Sequence, residues 1–363
     1  MVLSSGKGEA GAVGGQLGLE RPPPDDDRGG GEGITVPQRL FDPAPVCPPE
    51  PLFPAPPSPA VPTRQLEMKN LELIHHFTIT TYATLSTDDD VREMWRLAVP
   101  RIAFSHEFVM HALLAMSALH LSFLRPTDKS YAVVAAGHHG KALRSLRTAF
   151  SQHGDPLYAA SSLNAIYVLA CPPVVEHLLP KASTWIPVFK GMSTIMERDW
   201  YWVRSGELTP LLSRKKADKS QYAGQDIEFP GSLFDLSRRG ASGELDPEEL
   251  VDDHVLGVYQ DATEALKLSW NLFWSINPRA AAAFRWPGTM TDEFLRFLVE
   301  QRPRALVLLA HHCVMLELLE DQYWWIKGRG ADEIRRIEGV LEEKWKHWLD
   351  WPLARCKISK GTG

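Results

Sequence analysis

The chain has 363 residues, 44% of them hydrophobic and 23% charged, with 39 Lys and Arg against 45 Asp and Glu for a formal net charge of -6. That balance gives no basic field to hold a phosphate backbone through counterion release, so direct nucleic-acid binding by this sequence is not expected. Its four cysteines, Cys47, Cys171, Cys313 and Cys356, are far apart and form no CxxC pair, which argues against a disulfide framework and a structural zinc site.

Composition changes sharply near Thr63. Residues 1–62 hold 14 of the 28 prolines, a GGGEG run at Gly29 to Gly33 and an acidic triplet at Asp25 to Asp27. So little apolar surface cannot offset the entropy of ordering, and the segment reads as a disordered tail, its Pro43–Pro62 half partly extended polyproline II. Residues 63–352 read as one large all-α domain, long enough to bury most of its unfolded surface. Residues 353–363 read as a flexible C-terminal tail.

Taken in chain order, Leu71, Ile74, Phe77, Tyr82 and Leu85 fit a 3.6-residue stripe and predict a helix over about 66–85. Asp88 to Asp90 supply cap and dipole charge to a short helix that should end before Pro100. Ser105 is expected to open the next helix and Pro126 to end it, with Thr127 capping a long helix to about Gln152. Asp155-Pro156 then opens another. Pro172-Pro173 should break or kink that helix at Cys171, because an interior proline loses a hydrogen bond and clashes with the turn before it. Gly206 to Glu249 reads as a long loop with one short helix, and helix resumes at Pro247. Helices near 291–300, 303–327 and 331–349 complete the array. No window reaches the roughly 18–20 uninterrupted apolar residues of a membrane span; Phe104 to Leu124 is broken by Ser105, His106, Glu107, His111 and His120. With no secretory signal at the N-terminus either, the chain is expected to be soluble and intracellular.

Histidine doublets at His75-His76, His138-His139 and His311-His312 suggest metal, and Glu72 lies three before His75. A di-iron bundle needs two such pairs and two further carboxylates, and no second ExxH occurs. His106, His111 and His120 are too irregular for one metal face, and Glu343 with His347 is a lone pair, so satisfied core or surface histidines are the expected outcome and no metal is assigned. GxSxG, HExxH, P-loop and GxGxxG signatures are absent, so no catalytic residue is assigned.

Several words carry a family resemblance: LELIHHFTITTYATLS from Leu71, MWRLAVPRIAFSHEFVMHALLAMSALHLSFLRP from Met94, YAVVAAGHHGKALRSLRTAF from Tyr131, WIPVFKGMSTI from Trp185, ALVLLAHHCVMLELL from Ala305, the Trp324-Trp325 pair and KWKHWLDWP from Lys344. Together they resemble the regulatory domain of fungal zinc-cluster transcription factors of the sterol uptake control type. The resemblance implies a sensor, not an enzyme, that binds a sterol-like lipid in an apolar pocket and works with protein partners or as a homodimer. It also implies a nuclear protein with a ligand-bound cytoplasmic pool. Six closely spaced cysteines of a zinc cluster are not in this sequence. Either the gene model is truncated, in which case zinc belongs to the missing part, or the protein is a stand-alone regulator acting through a partner.

Twelve tryptophans are expected mainly to pack the core, with a subset walling such a pocket. Apolar helical faces with isolated polar groups nominate Met110, Leu113, Leu114 and Ser117, then Trp270, Phe273 and Trp274, then Leu309, His312, Cys313 and Leu316 as its lining. Two rivals stand: a ligand-free protein-interaction scaffold, and a helical enzyme acting on an isoprenoid. The enzyme would need Asp88 to Asp90 or Asp252-Asp253 as a metal motif, and both read more simply as helix N-terminal charge.

Overall fold

A computed structural model describes residues 68–357 except 152, 172–182, 184, 214, 218–227 and 242. The chain divides into two units, Met1–Thr63 and Arg64–Gly363. The tail expected over 1–62 lies outside the described residues, and so does Pro172-Pro173.

Helix dominates as expected. Helix α1 (Met68–Ile79) passes into a 3-10 turn at Thr81–Thr84, so the first predicted helix is right in place but tightens at its end. Asp88 caps α2 (Asp89–Glu93), its carboxylate accepting from the Asp90 and Val91 amides at 3.0 and 3.2 Å. The chain does not stop before Pro100. It runs through one π turn (Met94–Ala98), where the Val99 amide reaches the Met94 carbonyl, into α3 (Val99–Ser105). Widening the ladder by one residue relieves the clash a proline ring makes with the turn before it. Ser105 therefore closes α3, and His106 takes the extended N-cap position of α4 (Glu107–Leu124).

Helix α4 is long and apolar enough to cross a bilayer by length and composition, which the sequence reading had not granted; yet 67% of it is buried. It packs on α1 and on α5 (Ser130–Ala149) and α6 (Asp155–Ala170). Lys129, not Thr127, is the N-cap of α5, with the Asp128 carboxylate accepting the Ser130 amide. Helix α6 opens at Asp155-Pro156 and stops at an extended Cys171 (ψ 125°), the conformation a following proline imposes. Helices α7 (Trp185–Arg198) and α8 (Trp200–Ser205) follow. The long connection carries 3-10 turns at Thr209–Leu212, Gly231–Ser237 and Pro247–Leu250, plus β1 (Lys215–Lys216), which pairs antiparallel with β2 (Ile276–Asn277).

Asp252 caps α9 (Asp253–Phe273), accepting the His254 amide at 2.8 Å. Both aspartate runs thus serve as helix caps. Two short helices not foreseen, α10 (Arg279–Ala283) and α11 (Arg285–Thr289), come next. Helix α12 (Asp292–Val299) and α13 (Pro303–Glu317) follow, then α14 (Arg329–Val340) and α15 (Asp350–Arg355). The predicted tail from 353 starts too early, because Leu353 and Cys356 are buried.

Helix α13 is the axis of the domain, buried without a break from Arg304 to Leu316. Arg304 reaches out of it to the preceding loop: Nε donates to the Leu236 carbonyl at 3.1 Å and Nη1 to the Asp246 carbonyl at 3.2 Å. A buried guanidinium is tolerated when its donors are filled in this way. Helix α14 lies close enough to α13 that a Cβ on Gly330 would stand 2.6 Å from the Cys313 carbonyl oxygen, so only glycine fits that crossing.

Candidate functional site

A cavity of about 570 Å³ opens between α6, α7, α11 and the turn Trp324–Ile326. Its main wall is a run of rings drawn from three distant parts of the chain. Phe189 of α7 stacks on Phe284 at 4.3 Å and 12°, and Phe284 lies 5.8 Å from Trp325 at 27°. Tyr323 closes the run at 5.0 Å from Trp325. Offset ring pairs at these separations each add to the apolar burial.

Polar atoms fix the wall in place. Trp325 Nε1 donates to the Thr84 carbonyl at 3.3 Å, and the Tyr323 hydroxyl lies 3.3 Å from Thr87 Oγ1. Helix α7, which carries Phe189, also contributes Met192 and Met196, four residues apart on one face. Thioether side chains adapt to irregular shapes. Helices α7 and α11 meet closely at this wall: a Cβ on Gly288 would stand 2.2 Å from Ser193 Oγ. Trp95 and Val91 come from the first helices, and Leu272 and Ile276 from the end of α9 and β2.

The cavity is apolar with a few polar groups. Ser162 on α6 is 6% exposed and its hydroxyl has no hydrogen-bond partner. Glu197 and Arg285 line the exposed and half-exposed rim. Arg285 and Thr289 also line a neighbouring groove with Lys267, Leu268 and Asn271. A chamber of this size and lining falls within the roughly 300–1,000 Å³ range of small-molecule sites.

None of the eleven residues nominated from sequence lines this cavity. Met110 is half-buried, and Leu113 and Leu114 are packed in the α4 core. Ser117 Oγ donates to the Leu73 carbonyl at 2.7 Å, tying α4 to α1. Trp270 tilts against Trp351 at 5.6 Å, while Phe273 and Trp274 hold the buried Arg279 guanidinium at 4.4 and 4.8 Å. Leu309, Cys313 and Leu316 are fully enclosed, and burial pushes the Cys313 thiol well up. His312 Nε2 donates to the Ala283 carbonyl at 2.8 Å and its ring is stacked by Trp286 at 5.0 Å, behind the aromatic wall. These faces carry the right periodicity, but each meets another helix and not a void. Residues that do line the cavity had one legible signal, Phe189 and Met192 within the Trp185 to Ile195 block already singled out for its resemblance.

Among the described residues no group of three or more His, Cys, Asp or Glu is placed to hold a metal ion. Glu72 is engaged with Lys69 at 2.9 Å and the Tyr131 hydroxyl at 2.7 Å, so it is not paired with His75. His347 Nδ1 turns to the Lys344 carbonyl at 2.9 Å, away from Glu343.

Comparison with known proteins agrees with the resemblance. Residues 72–197 match the family described as the fungal specific transcription factor domain. The chain is similar to a Zn(2)-C6 fungal-type transcription factor of Gibberella zeae, 25% identical over 321 residues, covering 81% of this chain and 63% of the relative. It is also similar to the Zn(2)-C6 fungal-type transcription factor afumD of Aspergillus fumigatus, 28% identical over 277 residues, 72% of this chain and 70% of that one. Sterol uptake control protein 2 of Candida albicans is 24% identical over 283 residues, 72% of this chain but 39% of its own length. The chain thus spans only part of the relatives it matches. On these findings residues 72–197 match a fungal specific transcription factor domain, and most of the chain is similar to Zn(2)-C6 fungal-type transcription factors.

Proposed function

We propose that this domain is the ligand-sensing part of a nuclear transcription regulator and that its cavity takes a sterol-like lipid. One observation carries the reading: an aromatic-walled chamber of about 570 Å³, lined mostly by apolar side chains, inside a domain similar to a sterol uptake control protein. The cavity joins α6, α7, α11 and the Trp324–Ile326 turn, segments more than 150 residues apart in the chain from Ser162 to Trp325. An occupant touching all of them favours the arrangement in which they are close. It can shift the balance between two states only by its difference in affinity for them. The cytoplasmic ligand-bound pool and the partner that reads the change belong to this proposal.

Thermal melting with ergosterol tests it. A ligand that binds only the folded state stabilises it by about 2.7 kcal/mol at 100 times its dissociation constant, so a saturable rise in Tm is expected. No rise with any sterol in well-folded protein would refute the reading.

A second reading, a ligand-free interaction scaffold, is favoured by the aromatic surface of α8, where Trp200, Tyr201 and Trp202 are 48%, 75% and 57% exposed. Exposed aromatics are enriched where proteins meet. Under that reading substitutions on α8 would change partner binding while sterols leave the melting curve unmoved.

A further inference from the structure

We infer that α8 is a membrane-docking surface, on which Trp200, Tyr201 and Trp202 seat the domain on an anionic bilayer beside the chamber. This rests on the chamber being a lipid site.

Helix α8 turns a single side chain inward, Val203, which is fully buried. At about 100° per residue, Tyr201 and Ser205 then stand on the outward crest, with Trp200 and Arg204 on one flank and Trp202 on the other. The Tyr201 and Trp202 rings meet edge to face at 5.8 Å and 83°. Ser205 Oγ already donates to the Tyr201 carbonyl at 2.8 Å. Phe150, exposed at the end of α5, extends the patch: the Arg198 guanidinium lies over its ring at 5.0 Å, and the turn that follows brings Gly154 against Trp202. An exposed aromatic patch of this kind marks a binding surface.

Charge and position choose a bilayer as its partner. Helix α8 has no acidic residue, and exposed Arg204 and Arg147, the latter one turn before Phe150, have no ion-pair partner among the described residues. Neighbouring carboxylates are largely engaged. Asp199 is buried and held by Arg198 and His153, each at 2.8 Å, and Glu207 is bonded to Arg101, which leaves Glu197 against two arginines. Tryptophan and tyrosine with arginine around them form the composition of a headgroup-level anchor, and cations near an anionic leaflet strengthen the attachment. Exposed Glu197 also lines the chamber, three residues before Trp200, so α7 carries the chamber's edge directly into α8. A lipid occupant has to leave a bilayer to enter, and a domain resting on α8 holds that edge at the lipid surface. A protein partner would use the same aromatics but gives no reason for their place beside the chamber.

Flotation of the full chain with extruded vesicles tests this, using phosphatidylcholine alone and phosphatidylcholine mixed with phosphatidylserine. Wild type should float with the mixed vesicles, its tryptophan emission shifting to the blue, and bind phosphatidylcholine alone about 5-fold more weakly, the net of two arginines against Glu197. Trp200→Ser combined with Trp202→Ser should weaken binding to the mixed vesicles about 10-fold and Arg204→Gln about 5-fold, each keeping the unliganded melting curve and the ergosterol-induced rise in Tm of wild type. Equal flotation of wild type and the double tryptophan variant, or none by wild type, would overturn the docking surface, while a rise in Tm with ergosterol would leave the chamber a lipid site. No flotation, together with self-association of wild type that the double variant loses in sedimentation, would overturn it in favour of a protein contact. Absence of any ergosterol response in folded wild type would overturn the chamber reading and this inference with it.

Discussion

Arg304 donates to Glu249 at 2.5 Å from inside the most buried helix of the domain, with the arginine side chain only 1% exposed and the glutamate 16%. The pair holds the Pro247–Leu250 turn, and with it the approach to α9, against α13. Glu249 also accepts from the Tyr259 hydroxyl at 2.6 Å, so the contact reaches α9 directly. A buried ion pair gives little net stability when intact, but without Arg304 the Leu236 and Asp246 carbonyls lose their donor and Glu249 is left with only Arg302 at 3.5 Å. Arg304→Met should therefore destabilise the domain by about 3–5 kcal/mol in urea unfolding. A change below about 1 kcal/mol would show that the loop is held by other contacts.

Stability should fall on mild acidification, and the histidines decide the sign. His311 and His312 are fully enclosed, each donating to a backbone carbonyl at 2.8 Å, and burial pushes both down to about 4 from 6.5. Burial pushes His120 down to about 4 as well. Below pH 6.5 the unfolded chain takes up protons that the native state refuses, so their contribution is complete above 6.5 and is lost as pH falls toward 4. Glu317 works in the opposite direction. Burial beside Glu320 pushes it up to about 7, so it favours the native state as pH falls over the same window. Burial also holds His76 and His139 down and pushes Asp155 up, so five imidazoles oppose two carboxyl groups, and His311 and His312 are wholly buried. Tm measured at pH 5 should be lower than at pH 7.5, and an equal or higher value at pH 5 would contradict the burial of these imidazoles.

The closeness of α7 and α11 is set by one glycine. Gly288→Ala places a Cβ against Ser193 Oγ and should cost about 1–3 kcal/mol, the usual range for forcing atoms into a packed contact. Adding Ser193→Ala removes the oxygen and should recover most of that loss, a coupling read from a double-mutant cycle of urea midpoints. Additive losses would mean that the crossing is not limited by this contact.

The sequence as it stands carries a net charge of -6 and no closely spaced cysteines. It should therefore give no salt-dependent, sequence-specific shift of duplex DNA. Nanomolar specific binding at physiological salt would contradict this.

Much of the fold was legible because local chemistry and tertiary structure agree there. Asp88 and Asp252 cap the helices their charge predicted, Asp155-Pro156 opens α6, and the unbroken apolar run of α13 lies in the interior. Where the prediction missed, a local rule was overridden. Pro100 should have ended a helix, but a π turn carries the chain through it. The cavity was not legible for a different reason. Helical spacing marks a face as buried without saying whether it meets a neighbour or a space, so Leu113 and Leu309 look the same in sequence as Ile166 and Phe284. The distinction arises only where short helices such as α10 and α11, which carry no strong periodicity of their own, fail to fill the gap between longer ones.

The central claim is that the chamber walled by Phe189, Phe284 and Trp325 binds a sterol-like lipid. Ala281 is a small residue on its lining, so Ala281→Phe puts a ring into the space with little demand on the surrounding helices. Calorimetric titration of ergosterol into wild type and into this variant tests the claim most directly. Saturable binding at a single site in wild type, lost in a variant that still melts cooperatively, is the expected result. Equal binding by the two proteins would place the ligand elsewhere, and no binding to wild type would contradict the claim.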